Sequence, residues 1–477
     1  MYILCLDCGA TNVRAMVVDE RGRIVGKASQ PNATLPGSEN PDFHVWDAER
    51  IFRQLCDCAV RALEGCDRSL VRAVTITTFG VDGALVDEQG QLLYPVISWK
   101  CPRTGDVMRH IDRYLTQQEL NRISGVGAFA FNTLYKLIWL RENRPELLDR
   151  AAAWLFISDI FAHRLTGKMA TDRTMAGTSQ MTDLATGDFS ERILGAVGLR
   201  RELFPRLVNA GEVIGEVLPA AAKAMGLPEL AGLPVISAGH DTQFAIFGSG
   251  AAENQPVLSS GTWEILMVRS ARAELSPEDY ADGATAEYDA RPGLFNPGLQ
   301  WVGSGIIEWV KSTCYQGANY DTMDAEAAAI APGCDGVTLV PDFLASGDRR
   351  GSINGLVLGR TRGHIYRAAM EALSYRLRSR LRRLESVGAF KAESLLLVGG
   401  AARNKVWTQM RADILQLPVR VSEVEESTVL GAAMFALAGA GIYSGPEEAR
   451  EAFGISYKTY NPGPQCDDYA KLAGSGL

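Results

Sequence analysis

Several short segments carry residue types that together can move a phosphoryl group. The first is Asp7-Cys8-Gly9-Ala10-Thr11-Asn12-Val13-Arg14, between two β-rich runs. Phosphate oxygens need close, unhindered donors, and a tight turn at Gly9 offers backbone N–H groups where no Cβ blocks the approach. Thr11 and Asn12 extend that donor set. Asp7 ends the first run and suits Mg²⁺ held through water, because Mg²⁺ keeps several waters and takes few protein carboxylates. Arg14 can offset charge on a transferred phosphoryl group. The same residues also spell a plain hairpin turn. An echo at Ser260-Gly261-Thr262, again between two β-rich runs, tilts both turns toward phosphate binding.

Gly239-His240-Asp241 puts a carboxylate where an apolar strand gives way to a helical pattern. A general base that accepts a proton from a sugar hydroxyl fits there; so does an Asp that caps the helix beginning at Thr242. His240 reads as a packed neighbour before an acid or base. Sugars are held by polar side chains over an aromatic wall, and residues 78–83 and 98–103 offer that mixture. Asp82 can accept from sugar hydroxyls, Arg103 can donate, and Trp99 can pack on the sugar face, against the plainer alternative of a turn Asp and a core Trp. Gly399-Gly400-Ala401-Ala402-Arg403-Asn404 follows an apolar strand. Its bare backbone lets an adenine ring lie flat and Asn404 can reach the base edge, although such pairs also serve ordinary strand-to-helix turns.

These segments need scaffolding that the patterning supplies. Runs at 2–6, 13–18 and 23–30 predict an antiparallel meander, 47–63 a helix capped by Asp47, and 73–78 a strand returning beside the meander in a mixed sheet. Residues 105–230 read as mostly helical, including 133–143 and 151–165. A strand at 235–238 leads into a helix at 242–248. A second strand-turn-strand at 256–268, a strand at 394–398 and an apolar helix at 429–443 complete an apparent duplication: an α/β protein of two related halves, divided at 243/244, each with a glycine-centred turn facing a cleft.

The chain has 477 residues, 47% apolar and 22% charged, a size at which one core gives way to two domains. A net charge of −8 argues against a nucleic-acid surface. The basic stretch 376–383 is interleaved with Leu373, Leu377, Leu381 and Leu384 at helical spacing and reads as a solvated helix face. Nine scattered cysteines predict reduced thiols in a cytoplasm, and Cys5 and Cys8 read as buried thiols despite their C-x-x-C spacing. The opening residues read as a strand and not a signal peptide, and 429–443 is too short to span a bilayer. Association into a homo-oligomer is left open.

Together these residues resemble the FGGY carbohydrate kinases of the actin and hexokinase superfamily, over nearly the whole chain. The strings at 77–87, 97–104 and 237–245, Thr-Thr-Phe-Gly-Val-Asp-Gly-Ala-Leu-Val-Asp, Ile-Ser-Trp-Lys-Cys-Pro-Arg-Thr and Ser-Ala-Gly-His-Asp-Thr-Gln-Phe-Ala, are similar to members that act on L-fuculose. The resemblance implies two RNase H-like (actin-like ATPase) domains, with sugar on the first and ATP mainly on the second. It implies Asp241 as catalytic base. Asp7, Gly9, Thr11, Asn12 and Arg14 would meet phosphates and Mg²⁺, with Gly261 and Thr262 as further phosphate contacts. Gly400 and Asn404 would meet adenosine, and Asp82, Trp99 and Arg103 sugar. The expected reaction moves the ATP γ-phosphoryl group to the 1-hydroxyl of L-fuculose; L-rhamnulose, D-ribulose or D-xylulose are alternative ketoses, and an actin-like ATPase or a silent sugar sensor are alternatives of another class. The stretch 341–350 departs from the family's aromatic-Pro-rich loop, and 462–477 carries no usable motif.

Overall fold

The computed structural model describes residues 1–344 and 350–474, so the centre of the divergent stretch 341–350 lies outside the described residues. Strands β1 (Tyr2–Cys8), β2 (Asn12–Asp19) and β3 (Ile24–Pro31) form the expected antiparallel meander, with Asp7 opposite Arg14 in register. Helix α1 (Ala48–Ala62) follows; the Asp47 side chain accepts from Arg50 N at 2.9 Å and so caps it. Its buried Ile51, Leu55, Cys58 and Ala62 recur at helical spacing and cover the sheet. The crossover delivers β4 (Val71–Thr78) parallel to β1. Both β1 and β4 are buried on both faces, as central strands are, whereas β3 at the edge alternates.

Residues 133–143 form helix α2 (Thr133–Asn143) as the pattern predicts. Residues 151–165 do not form one helix. Ala153–Phe156 is a buried strand paired with Gly83–Val86, and the helix begins only at Ile157. The cause is local: four apolar side chains are buried in succession, and Asp159 reaches back to accept from Phe156 N at 3.1 Å, which sets the helix start. Strands β5 (Val213–Glu216) and β6 (Pro234–His240) complete the sheet in the order β5-β6-β4-β1-β2-β3, and helix α3 (Asp241–Gly248) leaves the end of β6.

The second half repeats this plan. Strands β7 (Val257–Ser260), β8 (Trp263–Met267) and β9 (Phe295–Val302) form a meander. After the long helix α4 (Arg362–Gly388), β10 (Leu395–Val398) lies parallel to β7; helix α5 (Lys405–Leu415) then leads to β11 (Val419–Ser422), parallel to β10, and β12 (Tyr457–Tyr460) closes antiparallel. The run β12-β11-β10-β7-β8-β9 therefore matches the first sheet strand for strand in order and direction. In α4 the four leucines at 373, 377, 381 and 384 are buried, and the arginines of 376–383 range from half-buried to exposed.

By compactness the chain forms two units. One comprises Met1–Gly250, Leu275–Asn296 and Glu426–Ile455, and the other comprises Ala251–Glu274, Pro297–Glu425 and the segment from Ser456. The sequence suggested a single division at 243/244; two later segments instead return to the first unit. One of them carries helix α6 (Ser427–Gly439), apolar all round and packed against α3. Their backbones nearly touch: a Cβ on Gly431 would lie 2.0 Å from Phe244 O, and one on Gly248 1.9 Å from Ser427 O. All nine cysteines are free, and burial raises the Cys5 and Cys8 thiols well above the usual range. Among the described residues, no helix is long and apolar enough to cross a membrane.

Because backbone cannot yield as a side chain does, Gly431→Ala is expected to destabilise the protein by about 1–3 kcal/mol. Urea unfolding measures this; a variant as stable as its parent would refute the close crossing.

Candidate functional site

The first sheet gathers its polar residues at one end. In the parallel strands β1, β4 and β6, Cys8 pairs with Thr78 and Thr78 with His240, so Asp7, Phe79-Gly80 and His240-Asp241 emerge side by side at the carboxyl ends. Open α/β sheets bind ligands at that end.

Asp7 is 2% exposed. Arg14 Nε donates to Asp7 Oδ2 at 2.8 Å, Nη2 donates to the same oxygen, and Nη1 donates to Glu426 Oε2 at 2.7 Å. Burial pushes the Asp7 carboxyl up to about 6, with Arg14 opposing and the Asp241 charge adding to the rise. The turn beyond it is tight: a Cβ on Gly9 would lie 2.9 Å from Asn12 O, and Asn32 Nδ2 donates to Gly9 O at 2.9 Å. Thr11 and Asn12 are exposed at its rim.

Asp241 is the first residue of α3 and does not cap it; His240 occupies the position before. Asp241 Oδ1 accepts from Thr242 Oγ1 at 3.2 Å and lies 3.4 Å from His240 Nε2, and the side chain keeps 30% exposure. Burial raises the Asp241 carboxyl, against the His240 charge, the Thr242 hydrogen bonds and Arg14. The backbone here is held from behind. Thr174 Oγ1 donates to Asp172 Oδ1 at 2.6 Å and accepts from His240 N at 2.9 Å, and a Cβ on Gly239 would lie 2.3 Å from that hydroxyl oxygen.

The structure separates the three residues expected at the sugar. Trp99 stays 38% exposed, edge-on to Phe131 at 6.4 Å, with Phe131 stacked on Phe129 at 5.1 Å. Asp82 is sealed: it pairs with the equally buried Lys136, while Oδ2 accepts from Trp46 Nε1 at 2.6 Å and Trp99 N at 3.0 Å. Burial pushes the Asp82 carboxyl up and the Lys136 ammonium down, each opposed by its partner. Arg103 is also buried, stacked on Phe43 and donating to Cys101 Sγ and Tyr94 OH. Asp82 is thus held by protein partners at both oxygens, and Arg103 at Nε and Nη1.

What Asp82 and Lys136 hold is Val81, a β-branched residue at φ +63°, a region that such side chains rarely enter. Val81 N donates to Thr178 Oγ1 at 3.1 Å, and Val81 O accepts from Thr133 Oγ1 at 2.8 Å and Lys136 Nζ at 3.0 Å. Beside it, a Cβ on Gly80 would meet His240 Cδ2 at 2.9 Å, so only glycine lets these two segments close.

In the second unit, Gly261 and Thr262 form the β7–β8 turn, as Gly9 and Thr11 form the β1–β2 turn. Thr262 is exposed, and a Cβ on Gly261 would meet nothing nearer than 3.7 Å. Gly399 follows β10 at φ +95°, where a Cβ would strike Ser260 O, and Gly400 next to it faces open space. Asn404 is fully engaged. Its Oδ1 caps α5 by accepting from Trp407 N at 2.8 Å, and Nδ2 donates to Asp324 Oδ1 at 2.8 Å and Tyr366 OH at 3.0 Å. Asn404 thus caps α5 and braces Asp324 and Tyr366.

Three residues of the first unit's site escaped the sequence: Glu426, Lys136 and Glu287. Glu426 ends an acidic run before α6, a signal that reads equally as helix-terminus charge. Glu287 Oε2 accepts from Gln243 Nε2 at 2.7 Å and lies 3.4 Å from His240 Nδ1. Nothing in its neighbours Ala286 and Tyr288 announces that position.

Among the described residues, no cluster of three or more His, Cys, Asp or Glu could hold a metal alone. A lone buried carboxylate of raised proton affinity suits a hydrated Mg²⁺ that arrives with phosphates.

Comparison with known proteins places this geometry. Residues 2–248 match the N-terminal domain of the FGGY family of carbohydrate kinases, and residues 257–440 match the C-terminal domain. The chain is 52% identical over 461 residues to L-fuculokinase of Escherichia coli (strain K12), covering 96% of this chain and 97% of that protein. L-fuculokinase of Haemophilus influenzae is 44% identical over 470 residues, with 96% and 99% covered. Among solved structures, xylulose kinase from Rhodospirillum rubrum superposes with a TM-score of 0.90 at 25% identity, covering 100% of this chain and 97% of that one. The chain has the two-domain actin-like ATPase fold and belongs to the FGGY family of carbohydrate kinases.

Proposed function

We propose that the protein transfers the γ-phosphoryl group of ATP to the 1-hydroxyl of L-fuculose, giving L-fuculose 1-phosphate and ADP. The observation that carries this is the 52% identity to an L-fuculokinase along 96% of the chain. The geometry supplies the chemistry. Asp241 Oδ2 has no protein partner among the described residues, while Oδ1 is occupied. A sugar hydroxyl at Oδ2 loses its proton to the carboxylate as its oxygen bonds to phosphorus and the bond to the ADP oxygen breaks.

Asp7 would be the residue that holds Mg²⁺, which when bound would neutralise charge on the phosphates. In the first unit Gly9, Thr11 and Asn12 are suited to donate to phosphate oxygens, and in the second unit Gly261 and Thr262 form a turn of the same kind. Arg14, already fixed between Asp7 and Glu426, needs little reorganisation to offset the charge that spreads over the transferred group. The open backbone at Gly400 accepts the adenosine. Trp99 and Phe131 form an apolar wall suited to the 6-deoxy end of the sugar. A cytoplasmic setting fits nine unpaired cysteines.

Initial rates across L-fuculose, L-rhamnulose, D-ribulose and D-xylulose, with the product identified by NMR, test substrate and position together. L-Fuculose is expected to give the highest kcat/KM and a 1-phosphate; a faster second ketose would overturn the assignment. Asp241→Asn is expected to retain nucleotide binding and lose at least about 10²-fold in kcat, the lower end of what a positioned base contributes.

Asp7 adds a stability test. Its folded-state pKa lies above the unfolded value, so the stabilisation it gives is complete below about pH 4 and is lost as pH rises through about 6. Asp7→Asn removes the ionisation. Its melting temperature should exceed the parent's at pH 7.5 and the gain should vanish near pH 4, while phosphorylation is lost. Melting below the parent at pH 7.5 would mean that the Arg14 pair outweighs burial.

A further inference from the structure

Glu287 lies on a short strand, Thr285–Tyr288, inside a segment that follows β8 in sequence yet belongs to the first unit. The segment is firmly docked there. Ala286 N donates to Gly125 O at 2.7 Å, Gly127 N to Thr285 Oγ1 at 3.3 Å, and Tyr288 OH to Asp183 O at 2.8 Å. The Glu287 carboxylate is 12% exposed and is fixed by Gln243 Nε2. It faces His240 Nδ1, a buried nitrogen with no hydrogen-bond partner of good alignment. The other ring nitrogen, Nε2, faces Asp241 Oδ1. An imidazole between two carboxylates is satisfied at both nitrogens only when both carry protons.

We propose that Glu287 is a positioning residue for phosphoryl transfer: it holds the His240 ring with Nδ1–H toward itself and Nε2–H toward Asp241 Oδ1, which leaves Oδ2 as the oxygen that meets the sugar hydroxyl. This rests on Asp241 being the base. The charges around the ring are Asp241 on its own chain segment, Glu287 on the docked strand, and Asp172 behind Gly239; Thr78 of β4 and Gly80 just beyond it are uncharged. Asp7 and Arg14 act on Asp241 from β1 and β2. Burial by itself would depress the His240 imidazolium, yet Glu287, Asp241 and Gln243 raise it above the usual histidine range. The protonated ring in turn favours the ionised form of Asp241, the form that can accept a proton.

The test uses the full-length enzyme with L-fuculose and ATP. Glu287→Ala should lower kcat by about tenfold to a hundredfold, a share of what a positioned base contributes, while KM for ATP stays within about twofold. The acid limb of the kcat profile should move to higher pH, because a neutral His240 no longer favours ionised Asp241. Glu287→Gln, whose amide oxygen still accepts from Nδ1–H, should recover part of kcat with the acid limb still displaced. In a His240→Ala background Glu287→Ala should cost nothing further. If Glu287→Ala fails to fold by thermal melting, the acid-limb shift of Glu287→Gln decides. Unchanged pH profiles, or full additivity of the Glu287 and His240 variants, would overturn the inference alone. A parent enzyme that leaves L-fuculose unphosphorylated would overturn the proposed function and this inference with it.

Discussion

Two carboxylates, Asp7 and Asp241, stand at the ends of buried strands on either side of β4, and their burial is the constraint to which the rest of the site answers. Like charges in a poorly hydrated place cannot both stay ionised without cations. Each has one. Arg14 binds Asp7 and is itself braced by Glu426, and His240 faces Asp241 and is braced by Glu287. The two braces come from the two segments that return to the first unit from later in the chain, 275–296 and 426–455. Those segments thus complete the electrostatics of a site whose other residues lie in the first half.

The duplicated topology differs between the two units in one contrast. In the first unit the ion pair at the meander turn, Asp7–Arg14, keeps its arginine 31% exposed and therefore available to a ligand. In the second, Glu264 and Arg411 are paired at about 1% exposure or less, with Ser260 Oγ donating to Glu264 Oε1 at 2.8 Å and Trp301 Nε1 to Oε2 at 2.8 Å. That pair braces the sheet behind its own turn. Gly261 and Gly400 beside it leave their backbone open.

Much of this was legible in the sequence because it is written in local patterns. The meander, the strand-turn-helix at 235–248, helix 133–143 and the mixed sheets follow from apolar periodicity and glycine turns, and Asp7, Arg14 and Asp241 sit where their strings predict. Residues 151–165 misled because a buried strand followed at once by a helix leaves one continuous apolar run, with no break to read. Asp82, Arg103 and Asn404 show a different limit: a polar side chain beside a turn has the same local sequence whether or not it also has a buried partner. Lys136, Phe43 and Asp324, the partners that decide the matter, are remote in sequence. Glu287 and Glu426 were invisible for the same reason in reverse.

The unfavourable features of the first unit concentrate where the chemistry is placed. Val81 is held at a left-handed φ, Asp7 keeps a carboxylate that burial opposes, and Lys136 is an ammonium with no exposure. Each persists because its surroundings over-determine it. Val81 is gripped at both its N–H and its carbonyl, Lys136 meets Asp82 and Val81 O, and the glycine crossing of α3 and α6 locks the helix that carries Asp241. Strain kept in this way fixes Gly80, His240 and Asp241 relative to one another before any sugar arrives. If Asp241 is the base, as proposed, an oxygen already aimed need not reorganise in the transition state, which is where such preorganisation lowers the barrier. α2 acts on this arrangement from behind, through Thr133 and Lys136 on the carbonyl of a single strained valine.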